Sequence, residues 1–184
     1  MNICILTENT KKNFGAPLLP KDIEDIKNKN TDLNFYYESS TQRIISDKNY
    51  NSVGCKKYSN QKIDLFLSIR SIKKKSIKKG CAYLFFSHII RQQPENIELL
   101  KKIINSKGSL IDYELTKNSR GKELFLDKED TANTFEESTL ISKRLSSILP
   151  KIVRNLNEDK IEENFIVKKG YLNHLYMNLI DYLI

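Results

Sequence analysis

The chain has 184 residues, 39% of them hydrophobic, which is the length of about one domain with enough apolar side chains for a packed core and excludes wholesale disorder. Its 31 basic and 23 acidic residues leave a formal charge of +8, which permits anionic partners without identifying one. No apolar run reaches the roughly 18 residues of a membrane-spanning helix, and the opening Met1 to Glu8 has neither a basic lead nor a small-residue cleavage site, so a cytoplasmic protein with no membrane partner is expected. Cys4, Cys55 and Cys81 are odd in number and far apart, and His88 and His174 are the only histidines, so neither a disulfide framework nor a zinc site is expected.

In chain order, Ile3-Cys4-Ile5-Leu6 reads as a short buried strand, followed by a polar loop to Gly15. Pro20 suits the first turn of a helix over Asp22 to Lys27, with Ile23 and Ile26 on one face. Leu33 to Tyr37 reads as a second strand, and a short helix over Asp47 to Val53 is stopped by Gly54. Ile63 to Ile69 is a third apolar run, and the lysine-rich stretch Lys73 to Lys79 is an exposed connection to the most apolar strand, Cys81 to Phe86. Beyond it, Pro94 opens a helix whose Ile97, Leu100, Ile103 and Ile104 share a face, closed by Gly108 ahead of the strand Ser109 to Leu115. A connector precedes a long helix with Ile141, Leu145, Ile148, Leu149, Ile152 and Leu156 on one face and a kink at Pro150. Phe165 to Gly170 reads as a strand or turn, and Leu172 to Leu183 as a closing amphipathic helix. Strands alternating with helices imply an α/β fold with a mainly parallel sheet flanked by helices and closed by C-terminal helices.

Parallel sheets place ligand sites at the carboxyl ends of their strands, which singles out the polar residues there. His88 follows Leu84-Phe85-Phe86-Ser87, where an imidazole serves either as a general acid or base or as a hydrogen-bonded structural group. Asp112 and Glu114, two apart on a strand, would share one sheet face, where one of them can orient a base; a solvated edge is the alternative. Arg70 ends the third strand with a fork suited to a substrate carboxylate, and it cannot act as a base. The lysine run lacks interleaved aromatics, and no G-x-G-x-x-G occurs, so neither nucleic acid nor a dinucleotide is implied by motif.

The segment Tyr83-Leu84-Phe85-Phe86-Ser87-His88-Ile89-Ile90-Arg91-Gln92-Gln93-Pro94-Glu95-Asn96, followed by Leu110-Ile111-Asp112-Tyr113-Glu114, closely resembles the lysine-forming saccharopine dehydrogenases and lysine–ketoglutarate reductases. Their amino-terminal domain is of the type shared with alanine dehydrogenase and the transhydrogenase, and Ala16-Pro17-Leu18-Leu19-Pro20 is similar to the early P-L-T-P element of that group. Ser40, Arg43, Ser46-Asp47 and Tyr50 also fall where the family has similar residues, and Phe135 to Leu156, Lys168 to Leu172 and Leu179 to Leu183 resemble its carboxyl-terminal end.

The resemblance implies a single substrate-type domain over 1–184, made of an α/β part (1–125) and a helical part (135–184), with the connector 126–134 standing where the family has a Rossmann domain for NAD or NADP. It implies that His88 corresponds to the proton donor and Gln93 to a substrate-site residue, that Arg70 stands at the family's lysine base and Arg91 at a usual lysine, and that Arg70, Arg91, Gln93 and Glu114 surround the substrate. An early arginine is replaced by Phe14 or Gly15. The expected protein is a domain-deleted relative with no cofactor of its own, non-catalytic alone, binding an amino acid or 2-oxo acid, as a homo-oligomer or with a partner chain. Two alternatives stay open: an oxidoreductase subunit acting on saccharopine or lysine with NAD(P) held by a partner chain, and a basic interaction module.

Overall fold

The computed structural model describes residues 1–8, 14–70, 72–89, 94–116, 134–158 and 166–168. Strand β1 (Asn2–Ile5) alternates cleanly: Ile3 and Ile5 face one apolar cluster, Cys4 and Leu6 the other. The same alternation separates Leu65 and Leu67 from Phe66 in β4 (Leu65–Leu67), and Ala82 and Leu84 from Tyr83 and Phe85 in β5 (Ala82–Phe85). A strand buried on both faces needs apolar residues at every position, which is why these segments read as unbroken hydrophobic runs.

With β2 (Asn34–Tyr37), β3 (Lys56–Lys57), β6 (Ser109–Asp112) and β7 (Ile166–Lys168) the sheet has the order β3-β2-β1-β4-β5-β6-β7. Six strands run parallel, and β7 pairs antiparallel with β6. The chain moves outward from β1 through β2 to β3, then returns to lay β4 on the other side of β1. The reversal of strand order therefore falls between β1 and β4.

Helices α1 (Pro20–Lys29), α2 (Asp47–Ser52) and α4 (Phe135–Asn157) contribute to the cluster on one face, and α3 (Pro94–Asn105) to that on the other. Pro20 opens α1, and Ile23 and Ile26 are its buried face. Ser46 caps α2 by accepting from the Asn49 N–H at 3.3 Å, and Gly54, at φ +73°, turns the chain out of it. In α4, Ile141, Leu145, Leu149, Ile152 and Val153 join Ile3, Leu18 and Ile23 in one cluster, so the segment expected as a C-terminal part shares the core of the sheet. Buried Ser138 and Ser142 on the same helix accept from the Ala16 and Leu19 N–H groups at 3.1 and 2.7 Å, pinning the β1–α1 connection. On the other face, Tyr83 stacks on Phe66 at 5.5 Å and spends its hydroxyl on the Lys78 backbone, accepting from the N–H at 2.6 Å. Burial of one such ring contributes about 2 kcal/mol.

Several expectations are corrected. The strand expected over Ser109 to Leu115 ends at Asp112, where Tyr113–Leu115 turns into one 3-10 turn, because the Asp112 side chain accepts from the Glu114 N–H at 3.0 Å. Asp112 and Glu114 therefore do not share a strand face. The left-handed residue that ends α3 is Lys107, at φ +55°, and Gly108 serves close approach instead: a Cβ there would meet the Cys81 carbonyl oxygen at 2.8 Å. Helix α4 spans Phe135–Asn157 with Pro150 inside it, in keeping with the long helix expected there. Leu99 joins Leu100 and Ile103 in the core face of α3. The two-residue β3 has no apolar signal to announce it. The connector 126–134, apart from its last residue Thr134, and the closing helix from Leu172 lie outside the described residues.

Candidate functional site

The ionisable groups that follow the buried strands gather along one edge of the sheet, where the parallel strands end. Past β5 and β6, Asp112 is 1% exposed and accepts from the Ser87 N–H at 3.3 Å and from the Ser87 hydroxyl. Burial pushes its carboxyl up to about 6 against these hydrogen bonds, which act in the opposite direction. Ser87 is thereby fixed, and the next residue, His88, takes a left-handed φ of +51°. That conformation costs a non-glycine residue about 1–2 kcal/mol, so something must hold it there.

Glu114 does so twice. Its Oε2 accepts from the His88 N–H at 3.0 Å, and its Oε1 lies 3.0 Å from the ring Nδ1. The 3-10 turn after β6 is what brings Glu114 back over His88; a strand continued to Leu115 would have carried it past. Both side chains are only 15% exposed. With Nδ1–H directed at the carboxylate, proton exchange falls to Nε2, the arrangement a general acid or base requires. The ring stacks on Phe86 at 6.3 Å, and Phe86 meets Tyr113 edge-on at 5.0 Å.

Sequence reasoning missed Glu8. It follows β1 and its buried carboxylate accepts from the Ile69 and Arg70 N–H groups at 2.9 and 3.1 Å and from the Ser68 hydroxyl at 3.2 Å. It thus ties the end of β1 to the end of β4 across the reversal of strand order. Burial raises its pKa, and these hydrogen bonds and the Arg70 charge act against the rise. Its charge also acts on buried Tyr113, which connects it to the His88 side of the edge. The signal that singled out His88, an ionisable group just beyond a buried strand, was present at Glu8 as well.

A cavity of about 310 Å³ opens beside Glu8, lined also by Thr7, Gly15, Lys73 and the loop Ser39 to Arg43. Arg43 anchors that loop: its guanidinium donates to the carbonyls of Ile45 at 3.1 Å and Glu38 at 2.9 Å and to Asp47 at 2.8 Å, and it lies 4.6 Å from the Tyr50 ring centroid. Thr7 donates to Glu38 from its N–H at 2.9 Å, Ser39 donates to Asp47 at 2.6 Å, and the Ser40 hydroxyl accepts from the Gln42 and Arg43 N–H groups. Lys73, read from the sequence as part of a solvated run, is half-buried in the cavity wall, whereas Lys74 pairs with Glu98 of α3.

Of the residues expected at the site, His88 and Glu114 are in direct contact, and Arg70 stands beyond the end of β4 with its charge acting on Glu8. Arg91 and Gln93 lie outside the described residues. The three cysteines are buried, and burial lifts the Cys55 thiol to about 11 and the other two upward, so they stay protonated and unreactive. Among the described residues no three His, Cys, Asp or Glu side chains are grouped to hold a metal ion, and no helix is long and apolar enough to cross a membrane.

At the reversal of strand order the chain places the buried Glu8 carboxyl, and just before α1 the Leu19 N–H is taken by Ser142 of α4, which also bonds Asp22.

An open α/β sheet of this strand order, with its ionisable groups gathered at the carboxyl edge, defines the class of protein. Residues 4–127 match the family model of the alanine dehydrogenase/PNT N-terminal domain, and the chain belongs to that family. It is 39% identical over 89 residues to an alpha-aminoadipic semialdehyde synthase of Arabidopsis thaliana, covering 47% of this chain and 8% of that protein. Its similarity to the mitochondrial synthase of Rattus norvegicus is 31% over 112 residues, 59% of this chain and 12% of the relative. The chain thus spans a small fraction of the curated relatives it matches. An L-alanine dehydrogenase structure superposes with a TM-score of 0.57 at 13% identity, over 67% of this chain and 35% of that one. The transhydrogenase from Sinorhizobium meliloti gives 0.54 at 14%, over 65% and 37%. The fold is therefore that of the alanine dehydrogenase and transhydrogenase amino-terminal domains.

Proposed function

We propose that the chain is a substrate-type domain related to the aminoadipic semialdehyde synthases that binds an amino acid or 2-oxo acid at its carboxyl edge and does not transfer hydride alone. The observation that carries this reading is the grip of Glu114 on both the backbone N–H and the ring of His88, which holds a strained histidine in a fixed orientation at the sheet edge that Glu8 and Arg70 share. Such strain persists where the surroundings over-determine it, and it marks functional positions. In the reading proposed, Arg70 supplies charge for a ligand carboxylate and His88 a proton donor, while Arg70 cannot replace a lysine base. Only residues 117–133 lie between Thr116 beyond β6 and Thr134 at the cap of α4, against the roughly 150 residues of a nucleotide-binding domain, which supports loss of that domain between the two parts.

Isothermal calorimetry with lysine, saccharopine and 2-oxoglutarate tests the proposal. Saturable heat is expected for at least one of them and none for NADH. Silence with all three ligands removes the binding function, and saturable uptake of NADH overturns the account of a cofactor-free domain. The retained His88–Glu114 pair also favours a second reading, in which a separate chain supplies NAD(P). An NADH-linked assay on co-purified chains then gives activity that His88→Ala abolishes.

A further inference from the structure

The three consecutive N–H groups around the strained histidine are all taken by side chains. Ser87 donates to Asp112 Oδ1 at 3.3 Å, His88 to Glu114 Oε2 at 3.0 Å, and Ile89 to the Ser87 hydroxyl oxygen at 3.3 Å. Two of these acceptors are in turn held by Asp112. Its Oδ2 accepts from the Ser87 hydroxyl, and its Oδ1 accepts from the Glu114 N–H at 3.0 Å. Thr116, 1% exposed like Asp112 itself, donates its hydroxyl to the Asp112 carbonyl at 2.8 Å and braces the turn from behind. A buried acceptor whose loss leaves several donors unpaired is costly to disturb. The reach of Glu114 to His88, by contrast, depends on where the turn places its backbone.

We infer that Asp112 is the positioning residue of this site: its carboxyl sets the turn that brings Glu114 over His88 and, with Ser87, the backbone that aims the imidazole. The inference rests on the reading of His88 as a proton donor and adds the group that governs the proton affinity of its ring. Asp112 does this as an acceptor and not by its charge. Burial favours its neutral form, in which Oδ1 still accepts from both N–H groups and Oδ2 becomes a donor to Ser87, a pattern that asparagine reproduces.

The test is NMR titration of the His88 ring protons without ligand, in a chain with two histidines, where the His88→Asn spectrum assigns the signal. Glu114→Gln is expected to lower the proton affinity of His88 about tenfold, since a carboxylate at hydrogen-bond distance favours the imidazolium. Asp112→Leu, similar in size and without an acceptor, is expected to lower it equally. Asp112→Asn should keep it within about twofold of wild type, and adding Asp112→Leu to Glu114→Gln should change nothing more. An unchanged His88 in Asp112→Leu overturns the inference. So does a fall in Asp112→Asn as large as in Asp112→Leu, or a further fall in the double variant, because each assigns the effect to charge. If the leucine variant does not fold, hydrogen exchange of the wild-type chain decides: the N–H groups of Ser87, His88, Ile89 and Glu114 are expected to open together, and opening of His88 independently of Ser87 and Glu114 overturns the inference. Neither measurement uses a ligand, so their failure leaves the ligand-binding reading to calorimetry, and calorimetric silence leaves these outcomes unchanged.

Discussion

Arg43, on the β2 side of the carboxyl edge, and His88, on the β5 side, are both nitrogen-bearing side chains at the ends of buried strands, and they are housed in opposite ways. Arg43 is 2% exposed in its side chain and distributes its donors over two carbonyls and Asp47, with the Tyr37 and Tyr50 rings against its plane. Its φ is not positive. His88 is more exposed, sits at a positive φ, and is gripped by one carboxylate that addresses only one of its ring nitrogens. The first arrangement consumes a cation to shape a loop, and the second incurs strain to aim a titratable group. Position at a strand end therefore does not by itself separate scaffold from site; the distribution of hydrogen bonds does.

If Arg43 is scaffold, its loss should fall on stability before anything else. Arg43→Ala removes three hydrogen bonds and the contact with Tyr50, and leaves the partly exposed Asp47 to Ser39 and Ser40, a change that costs about 3 kcal/mol or more, since a hydrogen bond to a charged group is worth about 1.5–3 kcal/mol. Urea denaturation should show a lower midpoint with an unchanged slope. Arg43→Lys should recover little of it, because one ammonium cannot serve three acceptors spread around a plane. A variant of wild-type stability would mean that the loop from Ser39 holds its shape without this cation.

The His88 side should respond to pH instead. Asp112 titrates near 6 in the folded chain against 3.8 for the free side chain, so folding favours its protonated form. Its contribution is most favourable below pH 4 and declines as pH rises through 6, by on the order of 3 kcal/mol, after which it is flat. Asp112→Asn should remove that decline: the amide oxygen can still accept from the Ser87 and Glu114 N–H groups, and the amide nitrogen can donate to the Ser87 hydroxyl. Denaturation midpoints measured from pH 4 to pH 8 should therefore fall more steeply for wild type than for the variant, whose remaining decline comes from Glu8, the other carboxyl that burial raises. Parallel curves would refute the assignment to Asp112.

The same contrast explains what can be read from the residues alone. Ile3, Leu65 and Leu84 announce their strands because burial on both faces demands uninterrupted apolar runs, and Pro20 and Ser46 announce helix starts through local stereochemistry. His88 is legible as a strand-end group. Its clamp is not, because Glu114 reaches it only through a turn created by a hydrogen bond from its own N–H to Asp112. Glu8 and Lys73 escape notice for a related reason: their setting depends on β1 and β4 being neighbours, a fact of strand order that no local pattern contains. Lys73 reads like Lys74 and Lys75, and only the packed structure puts one in a cavity wall and another against Glu98.

The smallest effect expected is the most pointed. Asparagine tolerates the left-handed region better than histidine does, so His88→Asn relieves part of the strain at φ +51° while giving up the ring contact with Phe86 and the Nδ1 interaction with Glu114. The Glu114 interaction with the backbone N–H survives, since it does not depend on the side chain. Gains and losses of about 1 kcal/mol each then nearly cancel, and thermal denaturation should place the variant within about 0.5 kcal/mol of wild type. Any ligand heat that depends on the imidazole should nevertheless disappear. A histidine retained for packing would give the reverse result, a loss of stability with binding intact, because the ring would then be worth more to the fold than the strain it imposes.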